Sequence, residues 1–211
     1  MMNKRSLSDV NFYFITDENI ELPPHEQVRK AIEGGVKMVQ YRDKSSKARK
    51  LYEEAVKIRE ICDDTLFIVN DRLDIALAVD ADGVHLGQED LPIRAAREIV
   101  GEDMIVGVST HNLEQAKRAE EVADYIGIGP VHRTETKDDT SKKLGIEGVI
   151  QIASKVEIPS TAIGGIKEED LEKLAKGADM VCAISSVTRG DDLSKRVRLF
   201  EDKFTRAKRG E

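Results

Sequence analysis

The chain has no tryptophan, and four tyrosines and five phenylalanines make an aromatic share of only 4% in 211 residues. So little ring surface gives poor material for the long apolar channel that a transferase acting on prenyl diphosphates would need. Cysteine is equally scarce. Cys62 and Cys182 stand far apart and neither sits in a CxxC pair, which excludes a disulfide scaffold and points to reduced thiols in a cytoplasmic protein. No apolar run approaches the roughly 18 residues needed to span a bilayer. The N-terminus, MMNKRSLSDV, lacks the apolar centre of a signal peptide. Positive charge is not in excess: 33 Lys and Arg against 40 Asp and Glu leave a net charge of −7 and a pI near 5.3. That argues against nucleic acid as a partner. No Gly/Ser linker or composition break divides the chain, so residues 1–211 read as one domain. The oligomeric state, a homo-oligomer included, stays open.

What is present is alternation. Short stretches rich in Val, Ile and Phe are followed by segments with apolar residues three or four apart. The strands expected are Phe12–Thr16, Val36–Tyr41, Leu66–Val69, Gly83–Leu86, Ile105–Val108, Tyr125–Gly127, Ser160–Ile163 and Met180–Ile184. The helices expected are Pro24–Glu33, Ser46–Cys62, Leu73–Val79, Pro92–Val100, Leu113–Val122, Ile146–Ser154, Glu168–Lys176 and Leu193–Arg206. Pro23-Pro24 opens the first helix and Gly34-Gly35 closes it. Asn112 stands as an N-cap before Leu113. Eight βα units close a barrel more readily than they form an open sheet, so the fold class is α/β, a single (β/α)8 TIM barrel. Its active site is expected at the C-terminal ends of the strands. The polar strings of this chain lie at those ends, and a purely structural role would scatter them over both ends.

Each string has two readings by itself. In QYRDK, alternation puts Gln40, Arg42 and Lys44 on one face and Val39 and Tyr41 on the other; this is either a solvated charge run or a cationic barrel mouth. NDR, at Asn70–Arg72, is either a turn or, after FIV, a strand-end carboxylate, and Arg72 also suits a structural ion pair. GVHLGQED adds Asp90. Asp71 and Asp90 beside Arg42 and Lys44 suggest a divalent cation holding a diphosphate. His85 reads as a partly buried barrel histidine rather than a general base. Ser109, in GVSTH, lacks a G-x-S-x-G elbow and an evident base, so it reads as a substrate-contacting hydroxyl; His111 could cap a helix or touch substrate. GPVHRTETK is either a mobile polar loop or a phosphate loop. TAIGGI and AISSV follow strands seven and eight, where barrels commonly bind phosphate, which assigns Gly165, Ile184 and Ser185 to an anion through backbone groups. Two phosphorylated substrates side by side imply group transfer with diphosphate leaving. No residue is evident that would activate a nucleophile, so the bond to diphosphate is expected to break first, a dissociative substitution.

Taken in order, QYRDK, NDR, GVHLGQED, GVSTH, GPVHRTETK, TAIGGI and AISSV resemble the thiamine phosphate synthase family from about Phe12 to Arg189. The resemblance implies condensation of 4-amino-2-methyl-5-hydroxymethylpyrimidine diphosphate with hydroxyethylthiazole phosphate. It implies that Gln40, Arg42, Lys44, Asn70, Ser109 and Lys137 hold the pyrimidine diphosphate, with Arg42, Lys44, Ser109 and Lys137 catalytic. Thr134, Thr136, Gly165, Ile184 and Ser185 would hold the thiazole phosphate, and Asp71 and Asp90 would hold Mg²⁺. His132-Arg133 stand where Phe-Pro is the commoner family form. A thiazole tautomerase-like or regulatory homologue, binding the thiazole phosphate alone, is the alternative; Lys44, Asp71, Asp90 and Ser109 argue against it.

Overall fold

The computed structural model describes residues 6–133 and 143–211. The strands β1 (Phe12–Ile15), β2 (Met38–Tyr41), β3 (Leu66–Asn70), β4 (Gly83–Leu86), β5 (Ile105–Thr110), β6 (Tyr125–Ile128), β7 (Ser160–Ala162) and β8 (Met180–Ala183) are parallel and pair in chain order. β1 closes the sheet on β8 through Phe12 to Val181, Tyr13 to Cys182 and Phe14 to Ala183. This is the (β/α)8 barrel that the alternation predicts. Around it lie α1 (Pro24–Glu33), α2 (Ala48–Ile61), α3 (Leu73–Ala78), α4 (Ile93–Val100), α5 (Leu113–Glu120), α6 (Gly145–Ala153), α7 (Leu171–Leu174), α8 (Ser185–Thr188) and α9 (Leu193–Arg209).

Several ends differ from the sequence reading. β2 starts at Met38, β3 takes in Asn70, and β5 runs on to Thr110, so Ser109 lies inside a strand rather than past one. The helix expected at Glu168–Lys176 is a 3-10 turn, Glu168–Asp170, followed by the single turn α7. The Asp170 carboxylate is turned back onto the Lys167 N–H at 2.9 Å, which tightens that entry.

The period of two sorts the strand residues into shells. Val39, Tyr41, Phe67, Val69, Val106 and Val108 face outward and pack beneath the helices. Tyr13, Ile15, Met38, Leu66, Ile68, Ile105, Tyr125, Met180 and Cys182 fill the barrel. Gln40 above Met38, Asn70 above Ile68 and Ser109 above Ile105 therefore continue the inner face toward the C-terminal mouth.

Carboxylates also ring the opposite end, against the expectation of one-sided polarity. Asp82, Asp124 and Asp179 each precede a strand and accept from the first N–H groups of the strand before it, at Phe67 (2.9 Å), Val106 (2.8 Å) and Ser160 (2.8 Å). Glu201 on α9 does the same for Phe12 at 2.8 Å. These donors are otherwise orphans of the strand starts, so each carboxylate completes the ladder. What distinguishes the other end is carboxylates that face one another.

A third polar tie joins α1 to α2. The Glu54 carboxylate accepts from the His25 ring at 2.6 Å, from the His25 backbone N–H at 2.9 Å and from Lys57 at 3.1 Å. Burial works to raise the Glu54 pKa, but these hydrogen bonds outweigh it and hold the carboxyl below its ordinary range. The sign is that of a depressed acid: its contribution is present above the unfolded glutamate pKa of about 4.3 and is lost as pH falls through the lower folded value. Glu54→Gln is expected to be less stable than the parent at neutral pH, with the gap closing below about pH 4. Urea unfolding at a series of pH values measures it; a gap of constant size would show that Glu54 acts through packing alone.

Candidate active site

Strand-end geometry brings Gln40, Arg42, Lys44, Asn70, Asp71, Asp90 and Ser109 to the mouth formed by β2 to β5. Asp71 N–H donates to the His85 carbonyl at 2.8 Å, and the residue sits at φ 60°, in the left-handed region. A non-glycine residue held there is strained, and the strain aims its carboxylate across the mouth. It meets Lys44 Nζ at 3.2 Å and neighbours the Asp90 carboxylate. Burial, and after it the neighbouring Asp90, raise the Asp71 pKa, while Lys44 opposes them. Asp90 is held in turn: its Oδ2 accepts from the Gly87 N–H at 2.7 Å. Two carboxylates this close repel unless a proton or a cation lies between them, so the pair suits a divalent ion.

Arg42 is 5% exposed and pairs with Glu18 Oε1 at 3.0 Å; Glu18 Oε2 accepts from the Lys44 N–H at 2.9 Å. Glu18 was missed in the sequence. It stands in TDEN, directly after β1, and the rule that polar residues at strand ends line the mouth would have found it. Arg42 Nε and Thr161 Oγ1 are buried without a hydrogen-bond partner among the described residues. Both line a narrow pocket with Gln40, His85, Tyr125 and Ile163. Unpaired polar groups in such a place await a partner that the pocket admits.

His85 is 7% exposed, as a barrel histidine should be. Its Nε2 lies 3.0 Å from Ser109 Oγ and its Nδ1 lies 2.9 Å from Tyr125 Oη. The sequence shows no titratable partner near Ser109; the register sets a histidine ring beside it, because β4 and β5 pair His85 with Gly107, two residues before Ser109. Arg72 turns away into an ion pair with Asp74 at 2.5 Å, the structural role weighed for it.

Across the mouth, the loops after β6, β7 and β8 converge. His132 N–H donates to the Gly164 carbonyl at 2.8 Å, and Ser186 Oγ donates to the Ile166 carbonyl at 2.6 Å. Gly164 and Gly165 take φ 100° and 65°, and a Cβ on either would press into Pro130 or His132. Gly165, Ile184 and Ser185 are thus neighbours on one side of the mouth. His111 Nδ1 lies 2.8 Å from the Gly129 carbonyl, and His132 Nε2 lies 2.9 Å from Asp170 Oδ2. His132 thereby ties the start of this loop to the turn after β7. Thr134, Thr136 and Lys137 lie outside the described residues.

The chain and its barrel resemble known proteins. The sequence pattern of thiamine monophosphate synthase matches residues 12–187. The thiamine-phosphate synthase of Methanosarcina barkeri is 40% identical over 207 residues, covering 96% of this chain and 94% of that protein. That of Archaeoglobus fulgidus is 41% identical over 204 residues, covering 95% and 96%. The solved thiamine phosphate pyrophosphorylase of Pyrococcus furiosus superposes with a TM-score of 0.87 at 39% identity, covering 94% of this chain and 96% of that one. A 3-hexulose-6-phosphate synthase, at 18% identity and TM-score 0.68, shares the barrel fold. With a matched pattern across nearly the whole barrel and relatives at this identity, the chain belongs to the thiamine monophosphate synthase family.

Proposed function

We infer that this protein is a transferase that condenses 4-amino-2-methyl-5-hydroxymethylpyrimidine diphosphate with hydroxyethylthiazole phosphate, giving thiamine phosphate and diphosphate. The observation that carries the reading is the cluster on one rim of the barrel in which Lys44 meets Asp71 and Asp71 neighbours Asp90, with Arg42 tied to the same rim through Glu18, which also holds the Lys44 N–H. Cations there suit phosphate oxygens, and the carboxylate pair suits Mg²⁺. Asp71 and Asp90 would hold the ion, which would supply charge neutralisation for the leaving diphosphate.

The residues of the chain supply the rest. Gln40 and Ser109 face the pyrimidine from the inner wall. Arg42, Lys44 and Asn70 hold the diphosphate, joined in this reading by Lys137. Gly165, Ile184 and Ser185, with Thr134 and Thr136, hold the thiazole phosphate opposite. The thiazole nitrogen is the nucleophile, so no protein nucleophile is required. Catalysis is electrostatic: fixed cations and hydroxyls favour departure of diphosphate before the new carbon–nitrogen bond forms. A cytoplasmic setting belongs to the same proposal. No helix among the described residues is long and apolar enough to cross a membrane, and Cys62 and Cys182 are buried thiols.

Incubating the protein with both substrates and Mg²⁺ and assaying thiamine phosphate tests the reading. Binding of the thiazole phosphate without turnover would favour the tautomerase-like alternative.

The two anion sites are separable. Lys44 is half-exposed beside Asp71, so Lys44→Ala is expected to weaken the pyrimidine diphosphate by about 1.5 kcal/mol, near tenfold, the low end for a hydrogen bond to a charged group. The thiazole phosphate should be little affected, and Ser185→Ala should change little if the contact is through its backbone. Calorimetric titration of each ligand measures this. Equal losses for both ligands in Lys44→Ala would mean that the sites are assigned wrongly.

A further inference from the structure

Five buried side chains form one hydrogen-bonded line through the barrel. Gln40 Nε2 donates to Tyr13 Oη by a short contact, Tyr13 Oη lies 2.9 Å from Tyr125 Oη, Tyr125 Oη lies 2.9 Å from His85 Nδ1, and His85 Nε2 lies 3.0 Å from Ser109 Oγ. Gln40, Tyr13 and Tyr125 are each no more than 2% exposed, and Ser109 is 6% exposed. Water cannot readily repair a mismatched proton here, so the order of donors along the line matters.

One end dictates the other, because each hydroxyl carries one proton. The Gln40 amide nitrogen donates, so Tyr13 accepts there and passes its own proton to Tyr125. Tyr125, having accepted, passes its proton to His85 Nδ1. Nδ1 must then be the bare nitrogen, and Nε2 carries the hydrogen and donates it to Ser109 Oγ. Burial raises the pKa of both phenols, so each keeps the one proton that it passes along the line.

We propose that this line is a proton-ordering relay that fixes His85 as the neutral Nε2–H tautomer and leaves Ser109 a hydrogen-bond donor toward the bound diphosphate substrate. His85 is then a positioning residue and not a base. Its near nitrogen has no lone pair to offer, so the His85–Ser109 pair, which resembles a nucleophile and its base, is wired the opposite way. Ser109 accepts from His85 and keeps its own O–H for an acceptor atom of the substrate. The last step rests on the proposed function; the tautomer does not.

The test is ¹⁵N NMR of the histidine side chains in the ligand-free protein, with the His85 signals assigned by their loss in His85→Gln. The wild type is expected to show a bare, accepting Nδ1 and a protonated Nε2. Gln40→Glu replaces the donor with a carboxyl that only accepts once it is ionised, so the spectra are recorded above the pH at which this buried group loses its proton. The line should reverse and the proton should appear on Nδ1, although the substitution is on the far side of the barrel. In Tyr13→Phe/Gln40→Glu the line is cut and that change should vanish. A wild type with its proton on Nδ1, or a folded Gln40→Glu with His85 unchanged, overturns the relay. If Gln40→Glu does not fold, Tyr125→Phe decides: the Nδ1 resonance must move when its donor is removed, and an unmoved resonance overturns the proposal.

Activity supplies the second readout. His85→Gln still presents an N–H toward Ser109, whereas His85→Leu does not, and kcat for thiamine phosphate formation is expected to be roughly tenfold higher in the former. Equal rates overturn the donor role of Ser109. A wild type with the expected tautomer but no thiamine phosphate formed would overturn the proposed function and leave the relay standing.

Discussion

Asp71→Asn and Asp90→Asn are each expected to lower kcat/KM by roughly a hundredfold or more, because charge neutralisation by a metal at a leaving phosphate is worth several kcal/mol. The fold should survive both. For Asp71→Asn it should be as stable as the parent, or more so. The raised Asp71 pKa means that at neutral pH its charge opposes folding, burial being the larger reason and Asp90 the next. Asparagine removes that charge, and it also tolerates the φ of 60° at this position better than most residues. Activity and stability should therefore move apart, a pattern that damage to the fold cannot produce. Steady-state kinetics over a Mg²⁺ titration, paired with urea unfolding, checks it. Full turnover of the wild type in EDTA would sink the metal reading, and a destabilised Asp71→Asn would sink the account of strain and repulsion.

Gly107→Ala should unfold at markedly lower denaturant, by about 3 kcal/mol, toward the upper end for overpacking a core. A Cβ at Gly107 would run into Cζ, Cε1 and Oη of Tyr125, closer than real Cβ atoms approach anything. The ring cannot swing aside cheaply, because Tyr13 and His85 bond its hydroxyl from two directions. Any shift of Tyr125 also breaks the line to Ser109, so turnover should fall with stability. Gly127, two residues further along β6 from Tyr125, is the control. A Cβ there meets His85 Cε1 at 3.5 Å and Ile163 Cγ2 at 3.9 Å, both ordinary contacts. Gly127→Ala should change stability by no more than about 0.5 kcal/mol, yet it narrows the pocket above His85 and should weaken the pyrimidine substrate. Chemical denaturation of the two variants side by side decides the point; equal stability would mean that the Tyr125 ring is not locked.

The two glycines look alike in the sequence. Each sits in a Val- and Ile-rich strand, and nothing local says that one is crossed by a tyrosine ring while the other opens onto a pocket. The same holds for the carboxylates. Asp82, Asp124 and Asp179 precede strands and Asp71 and Asp90 follow them, but only pairing reveals that the first three each cap a neighbouring strand while the last two face each other.

By itself the sequence determined the barrel, its strand parity and the rim on which chemistry would gather. Those follow from the periods of two and 3.6 residues and from the order of strands, which are local and repeat along the chain. It therefore placed Gln40, Arg42, Lys44, Asn70, Asp71, Asp90 and Ser109 at one mouth before any contact was known. Only the tertiary structure decided what those residues meet: Glu18 against Arg42, Asp71 against Asp90, and His85 between Tyr125 and Ser109. Glu18 stands 24 residues from Arg42, His85 stands 24 from Ser109 and 40 from Tyr125, and Asp71 and Asp90 come from different strand-end loops. Register between neighbouring strands brings them together, and register depends on how each strand packs against the next, which no single stretch of residues specifies.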